Sequence, residues 1–431
     1  MRIGTLLVVL VPLVMGTDVG YFLQLSDIHL DQLYAPGANA TCAHSEDGYP
    51  CCRNGTAGIP PLRSAGVFGD YACDSPRTLV EYTIKWLADH LAPATAPATA
   101  PDFILWSGDT ADHHIFEQSF EYNTNSVNVT TTLLLERFPR TPVFPCIGNH
   151  DTWPVDWFCA NDTAYADLLR RYGQMWRPWL GADYETFERH GYYSLLIDPG
   201  LRLVVLNSLY DDTNNLPAEL LEECQEGAQQ LAWVRSMLEL SRKRGDKVWI
   251  MGHIAPGSAE ISVDFSVGFQ DLVAEYRDVV VEHFWGHAHN DRFFLLRDRE
   301  GNPVSRGLIP GSIEPDHHDP MFRLYTYNRT DYTVLNYAEY VLDLTALNSG
   351  VDHGYQKTYD ALSAYDLADM SPASFAELAS RLRQNKTLFD IYIRNYAPGV
   401  DIQCDDRCRR TLWCDIMYVD PVHYDLCLLP W

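Results

Sequence analysis

The hydrophobic pattern divides the chain into two parts. Up to about residue 341, short apolar runs alternate with longer stretches in which apolar residues recur at helical spacing, and this alternation predicts an α/β domain. The predicted strands cover residues 21–25, 103–106, 143–147, 192–197, 201–206, 248–251 and 280–285. The predicted helices include residues 78–91, 164–179, 227–244 and 267–276.

The remaining segment has a different character. Apolar residues recur there at helical spacing, for example Phe375, Leu378, Ala379 and Leu382. The segment also contains four cysteines, Cys404, Cys408, Cys414 and Cys427. We therefore expect a main α/β domain over residues 17–342 and a small disulfide-bonded helical lobe over residues 343–431.

The N-terminus has the features of a secretory signal. Met1 and Arg2 precede an apolar run over residues 3–15, which predicts a signal peptide over residues 1–16. The run is shorter than the roughly 20 residues that a spanning helix needs. The C-terminus lacks the long apolar tail of a lipid-anchor signal. We expect a protein without a transmembrane anchor that is secreted to the extracellular space or the lysosomal lumen.

Glycosylation motifs and cysteines agree with this compartment. Asn-x-Thr motifs, the acceptor sequence for N-glycosylation, begin at Asn39, Asn54, Asn128, Asn161, Asn328 and Asn385. The chain has 11 cysteines, which are many for a reducing compartment. Because the number is odd, at least one thiol is expected to remain unpaired.

Charge narrows the range of partners. The 431 residues include 32 Lys and Arg against 58 Asp and Glu, which gives a net charge of −26. Nucleic-acid polymers are bound largely through clustered Lys and Arg, so the acidic excess argues against such a partner. The hydrophobic fraction of 46% is typical of a folded globular protein and excludes disorder over most of the chain.

Five short motifs follow predicted strands and carry the candidate chemistry. They are Asp27-Ile28-His29, Gly108-Asp109, Gly148-Asn149-His150-Asp151, Gly252-His253 and Gly286-His287-Ala288-His289. In α/β sheets the ligand crevice lies at the carboxyl ends of the strands, so these loops can converge there. Carboxylate, amide and imidazole groups are ligands for Zn²⁺, Mn²⁺ or Fe. The motifs therefore predict a metal site.

In this order the motifs resemble those of the calcineurin-like metallophosphoesterases, and within them the acid sphingomyelinase and acid sphingomyelinase-like phosphodiesterase family. The resemblance implies a four-layer αββα sandwich, in which two mixed sheets are flanked by helices, and it implies a catalytic domain over residues 17–342. It also implies two divalent metal ions, with Zn²⁺ favoured. The ligands would be Asp27, His29, Asp109 and His289 for one ion, and Asp109, Asn149, His253 and His287 for the other, with Asp109 bridging.

The resemblance also implies roles for other residues. A hydroxide that bridges the metals would attack the phosphorus, and His150 would protonate the leaving oxygen. His113 resembles a second active-site histidine, although its neighbour His114 leaves that assignment open. Asp151 either orients a histidine or caps its loop. Two tryptophans beyond this loop, Trp153 and Trp157, could contact a substrate head group.

The family's disulfide pattern implies five bridges and leaves Cys146 as a buried free thiol. The implied pairs are Cys42–Cys51, Cys52–Cys73, Cys159–Cys224, Cys404–Cys408 and Cys414–Cys427. In the same family context, the segment around His317 and His318 departs from the sphingomyelinase pattern. Its interpretation as an exposed acidic loop is favoured over a substrate groove.

The expected activity is hydrolysis of a small phosphodiester or nucleotide phosphoanhydride by a monomeric enzyme. The chain lacks the lipid-extracting saposin module of full acid sphingomyelinases, which favours such substrates over membrane lipids. Sphingomyelin, cleaved to ceramide and phosphocholine, is the alternative substrate. Two further hypotheses are a phosphomonoesterase on the same scaffold and a binding protein without turnover.

Overall fold

The computed structural model describes residues 18–42, 51–60, 62–92 and 100–429. The predicted signal peptide over residues 1–16 lies outside the described residues. No helix among the residues described is long and apolar enough to cross a membrane.

Two six-stranded sheets form the centre of the molecule. The strands are β1 Val19–Leu25, β2 Leu30–Asp31, β3 Ser75–Pro76, β4 Phe103–Trp106, β5 Val143–Pro145, β6 Tyr193–Asp198, β7 Leu201–Val205, β8 Lys247–Met251, β9 Val280–Phe284, β10 Arg292–Arg297, β11 Pro303–Ile309, β12 Met321–Asn328, β13 Val334–Val341 and β14 Gln356–Asp360. One sheet has the order β14-β13-β12-β1-β4-β5, and the other has the order β10-β11-β9-β8-β7-β6. The short strands β2 and β3 pair separately.

Both large sheets are mixed. In the first sheet, Leu23 of β1 pairs in parallel with Ile104 and in antiparallel with Leu324. In the second sheet, β7, β8, β9 and β11 run parallel, and antiparallel strands lie at both edges. The central strands of both sheets thus direct their carboxyl ends toward loops that carry the sequence motifs.

Helices lie on the outer faces of the sheets. They are α1 Arg77–Leu91, α2 Phe120–Arg137, α3 Thr163–Leu180, α4 Tyr184–His190, α5 Leu216–Leu220, α6 Gly227–Arg244, α7 Val263–Glu275, α8 Leu344–Asn348, α9 Ala361–Tyr365, α10 Pro372–Gln384, α11 Lys386–Tyr396, α12 Asp406–Met417 and α13 Pro421–Leu428. Short 3₁₀ helices cover Ile115–Glu117, Asn149–Asp151, Gly181–Asp183, Ser208–Asp211 and Glu222–Cys224.

Helix α3 shows why these segments are helical. Asp162 caps its first turn by accepting a hydrogen bond from the Ala164 N–H at 2.7 Å. Its buried side chains include Leu168, Tyr172 and Trp176, which follow one another at intervals of four residues and form one apolar face. The helix ends at a glycine with a φ of 59°.

The alternation of side chains along β8 separates two hydrophobic cores. Trp249 and Met251 belong to the core between the sheets, where Trp249 contacts Phe22 with ring centroids 4.8 Å apart. Val248 and Ile250 point to the opposite face and pack with residues of α6 and α7. Each sheet therefore has one face against the other sheet and one face against helices, which confirms the expected four-layer α/β fold.

The segment after residue 342 differs from the all-helical lobe that the sequence predicts. Strand β14 pairs with β13 at the edge of the first sheet, with Ala338 opposite Asp360. The hydrophobic pattern does not show this strand because most of its side chains are exposed. Helix α10 packs on the second sheet, where Phe375 contacts Phe293 with ring centroids 4.8 Å apart. The segment thus adds a strand to the first sheet and covers part of the second sheet with a helix.

The five disulfides pair as the family pattern implies. They are Cys42–Cys51, Cys52–Cys73, Cys159–Cys224, Cys404–Cys408 and Cys414–Cys427. Cys146 is free and buried beside β5. Burial raises the pKa of its thiol well above the usual value, so the side chain is an inert part of the core.

The carboxylate of Asp211, a partly buried residue whose Oδ2 atom is enclosed, makes stability depend on pH. Burial raises the pKa of Asp211 to about 6, and its Oδ2 atom has no hydrogen-bond partner. The folded state therefore holds this proton more tightly than the unfolded state, and stability falls as pH rises from about 4 to 6. The variant Asp211→Asn lacks this proton-linked loss of stability. We therefore expect the free energy of unfolding of the variant minus that of wild type to be about 1 kcal/mol larger at pH 7.5 than at pH 5.

Chemical denaturation at the two pH values measures this difference. The matched control is Glu239→Gln, which removes an exposed carboxylate on α6 and should show no comparable change. An Asp211→Asn variant whose difference from wild type is the same at both pH values would contradict the prediction.

Candidate metal centre

The five motif loops meet at one end of the sandwich. Asp27, Asp109 and Asn149 follow β1, β4 and β5, which are neighbours in the first sheet. His253 and His287 follow β8 and β9, which are neighbours in the second sheet. The carboxyl ends of these strands open toward the same place, so side chains from both sheets converge.

The backbone turns sharply at most of these positions. The residues with positive φ are Asp27 at 51°, His29 at 42°, Asp109 at 55°, His287 at 70° and His289 at 59°. Non-glycine residues rarely adopt this left-handed conformation, and each such residue costs on the order of 1–3 kcal/mol. Strain of this kind persists where the surrounding structure enforces it, which is typical of functional sites.

One cluster consists of Asp27, His29, Asp109 and His289. The Nδ1 atom of His29 donates to the Ala111 carbonyl at 2.9 Å, which leaves its Nε2 atom without a proton. That Nε2 atom lies 3.1 Å from Nε2 of His289 and 3.5 Å from Oδ2 of Asp109. His289 Nε2 is also 3.7 Å from Oδ1 of Asp27. Lone pairs thus converge on one point.

A second cluster shares Asp109 with the first. His253 donates from Nδ1 to the Ser107 carbonyl at 2.7 Å, so its Nε2 lone pair faces Asn149 Oδ1 at 2.9 Å and Asp109 Oδ2 at 3.1 Å. His287 Nδ1 lies 3.2 Å from the same Asn149 oxygen. Asp109 Oδ2 therefore lies within reach of both clusters.

The chemistry of these groups fits divalent cations. Acceptor atoms that face one another at about 3 Å repel unless positive charge lies between them. The pKa of His253 also shows that this site favours positive charge. Burial lowers this pKa, but the carboxylate of Asp109 outweighs burial and raises it to about 10. Mixed nitrogen and oxygen ligands of this kind suit divalent transition metals. The two clusters are thus candidate sites for divalent metals.

Carboxylates behind the ligands fix their orientation. The Asn149 side-chain N–H donates to Asp156 Oδ1 at 2.9 Å, which turns the amide oxygen toward His253. His287 pairs through Nε2 with Glu260, which leaves Nδ1 facing Asn149. Such partners set the tautomer and direction of a metal-binding side chain. The sequence did not identify Asp156 or Glu260.

Asp151 caps the loops and does not orient a histidine. Its carboxylate accepts from the backbone N–H groups of Asp109 at 3.1 Å, Thr110 at 2.7 Å and Gly148 at 2.8 Å. A Cβ atom at Gly148 would lie 2.0 Å from Oδ1 of Asp109, so only glycine allows this approach. Of the two interpretations of Asp151, the structure supports the loop cap.

His113 reaches the site, whereas His114 turns away from it. The His113 ring stacks on His29 with centroids 4.0 Å apart and lies 4.4 Å from the His150 ring. His114 points into a buried network, where its Nδ1 is 3.1 Å from Asp74 Oδ2. The choice that the sequence left open therefore favours His113.

The histidines beside the clusters have opposite pKa shifts. Burial disfavours the charge on His113, but Glu314 and Asp74 outweigh burial and hold its pKa well above the usual value. Its Nδ1 atom lies 2.6 Å from Asp74 Oδ1 and 3.3 Å from Glu314 Oε1. Burial, followed by the charge of His113, lowers the pKa of His150 to about 4. The Nδ1 atom of His150 lies 3.2 Å from the Asp112 carbonyl.

The acidic segment near residue 317 is only partly the exposed loop that was expected. His317 is exposed, with 70% of its side chain accessible. His318 is buried and bonds to Ser312 Oγ at 3.2 Å, and Glu314 is also buried. The segment contributes to the site because its backbone pairs with the first motif, where the Glu314 N–H donates to the Asp27 carbonyl at 3.0 Å.

A cavity of about 940 Å³ opens above the two clusters. Carboxylates that line it include Asp74, Asp156, Glu260, Glu314 and Asp316, and no Lys or Arg lines it among the residues described. Phe116 lines its rim and is 73% exposed. Trp153 and Trp157 do not line it; Trp153 packs against Phe120 with ring centroids 5.6 Å apart. Acidic side chains therefore surround the candidate metal sites in the cavity that a substrate would enter.

The fold and the site together define a metallophosphoesterase. Residues 20–291 match the calcineurin-like phosphoesterase family, and residues 309–430 match the acid sphingomyelin phosphodiesterase C-terminal region. The chain is similar to sphingomyelin phosphodiesterase A of Dictyostelium discoideum, with 32% identity over 96% of this chain and 69% of that protein.

Two further relatives belong to the same group. Cyclic GMP-AMP phosphodiesterase SMPDL3A of Bos taurus is 28% identical over 97% of this chain and 92% of its own length. Human acid sphingomyelinase-like phosphodiesterase 3b is 30% identical over 95% of this chain and 90% of its own length. The chain belongs to the acid sphingomyelinase and acid sphingomyelinase-like family of phosphoric diester hydrolases, which confirms the resemblance seen in the motifs.

The loop cap leads to a stability prediction. Asp151→Ala leaves three buried N–H groups without their acceptor, and each unsatisfied group costs about 1–3 kcal/mol. We expect the free energy of unfolding to fall by roughly 3 kcal/mol or more, measured by urea denaturation. The control is Asp369→Ala, whose exposed carboxylate accepts from Ser371 N at 2.9 Å. Water can replace that acceptor, so equal losses in both variants would contradict the prediction.

Proposed function

We propose that the protein is a binuclear-metal phosphodiesterase that hydrolyses a small phosphodiester or a nucleotide phosphoanhydride. The observation that carries the proposal is the position of Asp109 Oδ2, which lies within 3.5 Å of a histidine nitrogen from each cluster. One ion would bind to Asp27, His29, Asp109 and His289, and the other to Asp109, Asn149, His253 and His287. Zn²⁺ suits this donor set. Bound divalent ions supply activated water and electrostatic stabilisation of phosphoryl oxygens.

We assign different roles in proton transfer to His113 and His150. His113 lies between Asp74 and Glu314, and two carboxylates stabilise an imidazolium that can give its proton to a leaving oxygen. His150 faces a backbone carbonyl and the His113 ring, which provide no comparable stabilisation. We therefore assign proton donation to His113, not to His150 as the resemblance implied. His150 would hydrogen-bond the substrate beside it.

Sphingomyelin remains the second candidate substrate, and the acidic cavity supports it. Asp316 and Glu260 line the cavity, with 45% of each side chain exposed, and the lining described contains no Lys or Arg to attract additional phosphates. A choline group is cationic and would interact favourably with these carboxylates and with the Phe116 ring. The names of the relatives include both a cyclic GMP-AMP phosphodiesterase and a sphingomyelin phosphodiesterase.

We place the enzyme outside the cytosol, as a secreted or lysosomal glycoprotein that acts as a monomer. The five disulfides support this assignment. The acceptor residues Asn54, Asn128, Asn161 and Asn385 are exposed, so a glycan can be attached there without disturbing the core. Asn39 and Asn328 are partly buried. Asn39 also donates to the Thr56 carbonyl at 2.7 Å.

Metal content tests the binuclear assignment. The purified protein should hold two divalent ions, and their removal by a chelator should abolish phosphodiester hydrolysis. Asp156→Ala frees the Asn149 amide, so we expect the affinity for one ion to fall by about 10- to 100-fold while the other is retained. Elemental analysis after dialysis against graded chelator measures this. Asp162→Ala, which removes a helix cap elsewhere, should leave both ions in place.

Full activity without metal would refute the proposed function. Loss of both ions in Asp156→Ala, or retention of both with unchanged affinity, would show that Asp156 does not support a single site.

A matched pair of substrates tests whether the acidic cavity favours a cationic group. CDP-choline and CDP-glycerol present the same phosphoanhydride with a cationic or a neutral group. We expect kcat/KM to be about 5- to 10-fold higher for CDP-choline, and Asp316→Asn should reduce the ratio. Sphingomyelin in detergent and cyclic GMP-AMP complete the panel. Equal values for the CDP pair, with cyclic GMP-AMP the best substrate, would exclude a choline subsite and favour nucleotides.

A further inference from the structure

Glu314 lies in a loop that is fixed against the candidate metal centre. The loop connects β11 with β12, and its backbone docks on two of the five motifs. Ser312 donates to the His289 carbonyl at 2.8 Å, and Glu314 donates to the Asp27 carbonyl at 3.0 Å. The Ser312 hydroxyl also donates to the Glu314 carbonyl at 2.6 Å. The position of the Glu314 side chain is therefore determined by the same segments that position the candidate ligands.

The carboxylate of Glu314 contacts two histidines from different motifs. Its Oε1 atom lies 3.3 Å from Nδ1 of His113, and its Oε2 atom lies 3.3 Å from Nδ1 of His289. The residue is only 4% exposed, and Oε2 has no hydrogen-bond partner of good geometry. A buried carboxylate is costly unless nearby groups compensate its charge, and these two imidazoles are the groups in position to do so.

Each histidine has one more carboxylate neighbour at its Nδ1 atom, but these neighbours are not shared. Asp74 lies 2.6 Å from Nδ1 of His113, and Asp316 lies 3.1 Å from Nδ1 of His289. Glu314 is the group that joins the two histidines. Asp74 and Asp316 form the hydrogen bonds to these Nδ1 atoms, and Glu314 lies 3.3 Å from both atoms as their shared ion-pair partner. With its Nδ1 side held in this way, each imidazole ring cannot rotate freely, and Nε2 is directed to the opposite side. For His289 that side is the cluster in which its Nε2 lies 3.1 Å from Nε2 of His29.

We propose that Glu314 is a positioning residue that holds the proton-donating His113 and the ligand His289 in one fixed arrangement. The proposal rests on the proposed function, because it assigns to His113 the donation of a proton to the leaving oxygen. Glu314 belongs to a group with His29, His113 and His289 that could itself hold an ion, but in this proposal it acts through the two histidines and not as a ligand. Its Oε2 atom is 3.8 Å from Nε2 of His29, farther than it is from the His289 ring.

The leaving group of the substrate separates this role from general damage to the site. Benzyl methyl phosphate has a poor leaving group that needs a proton, whereas p-nitrophenyl methyl phosphate releases an anion that leaves without one. We expect Glu314→Ala to lower kcat for the benzyl ester by about 10- to 100-fold and for the p-nitrophenyl ester by less than about threefold. Glu314→Gln keeps the shape of the side chain and should have an intermediate effect.

Two further measurements connect the effect to His113. In a His113→Ala background, adding Glu314→Ala should cause no further loss with the benzyl ester, because the group through which Glu314 acts is gone. Elemental analysis of all variants should show an unchanged metal content, because Asp316 still bonds to Nδ1 of His289 when Glu314 is replaced. The matched control is Glu282→Gln, which alters another buried glutamate that pairs with Arg306 at 3.2 Å away from the site. It should leave the ratio of the two rates unchanged.

Several outcomes would overturn the proposal. Loss of one metal ion in Glu314→Ala would make Glu314 a ligand, and equal losses with both esters would indicate damage unrelated to proton donation. Additive losses in the double variant would show that Glu314 does not act through His113. If the wild-type protein hydrolyses neither ester, the proposed function fails instead. In that case a crystal structure of Glu314→Ala tests the positioning role independently of activity. A His113 ring in the same place as in the wild-type protein would refute that role.

Discussion

The carboxylate of Asp109 is the interaction on which the rest of the site depends. Its Oδ2 atom lies between a histidine carried by the first sheet and one carried by the second, at 3.5 Å from His29 and 3.1 Å from His253. Its Oδ1 atom accepts from the His150 N–H at 2.9 Å. Asp109 therefore connects the two sheets, both clusters and the loop that carries His150. A buried carboxylate in this position is stable only if positive charge surrounds it.

The fold around Asp109 keeps a strained backbone in place. Its φ is 55°, and the N–H groups around it are bound by Asp151, which belongs to a different loop. Glycines at 108 and 148 allow these loops to approach more closely than side chains would permit. Stability and chemistry are thus linked, because the contacts that hold the loops together also set the direction of the Asp109 carboxylate.

The sequence predicted the main parts of this arrangement for a physical reason. Buried strands such as β1, β4 and β8 are short apolar runs, and polar residues directly after them must lie at the carboxyl edge of a sheet. Strand β14 was missed because an exposed edge strand carries no hydrophobic signal. Left-handed backbone at His29 and His289 was not predicted either, since histidine is enriched in this conformation but adopts it in only a small minority of cases.

The supporting carboxylates show another limit of sequence analysis. Asp74, Asp156 and Glu260 lie in loops without a motif, and only the fold brings them to His113, Asn149 and His287. The disulfide pairs and the ligand roles came from the family resemblance, since spacing alone left several pairings open. His113 was separated from its neighbour His114 only by the direction in which each ring points.

The C-terminal segment, which the sequence predicts as a separate helical lobe, supports the site through the loop of Glu314. Asp319 in that loop donates its N–H to the Pro398 carbonyl at 2.9 Å, and its carboxylate accepts from Tyr71 and from the backbone of Leu344. Residues 309–430 match as one family region, and this region begins before Glu314. A segment that adds a strand to the first sheet, packs a helix on the second and anchors this loop cannot be separated from the main domain without exposing apolar surface and releasing Glu314. The tail is therefore part of the catalytic unit in structural terms, and the change in hydrophobic pattern near residue 343 marks a change in local structure within that unit.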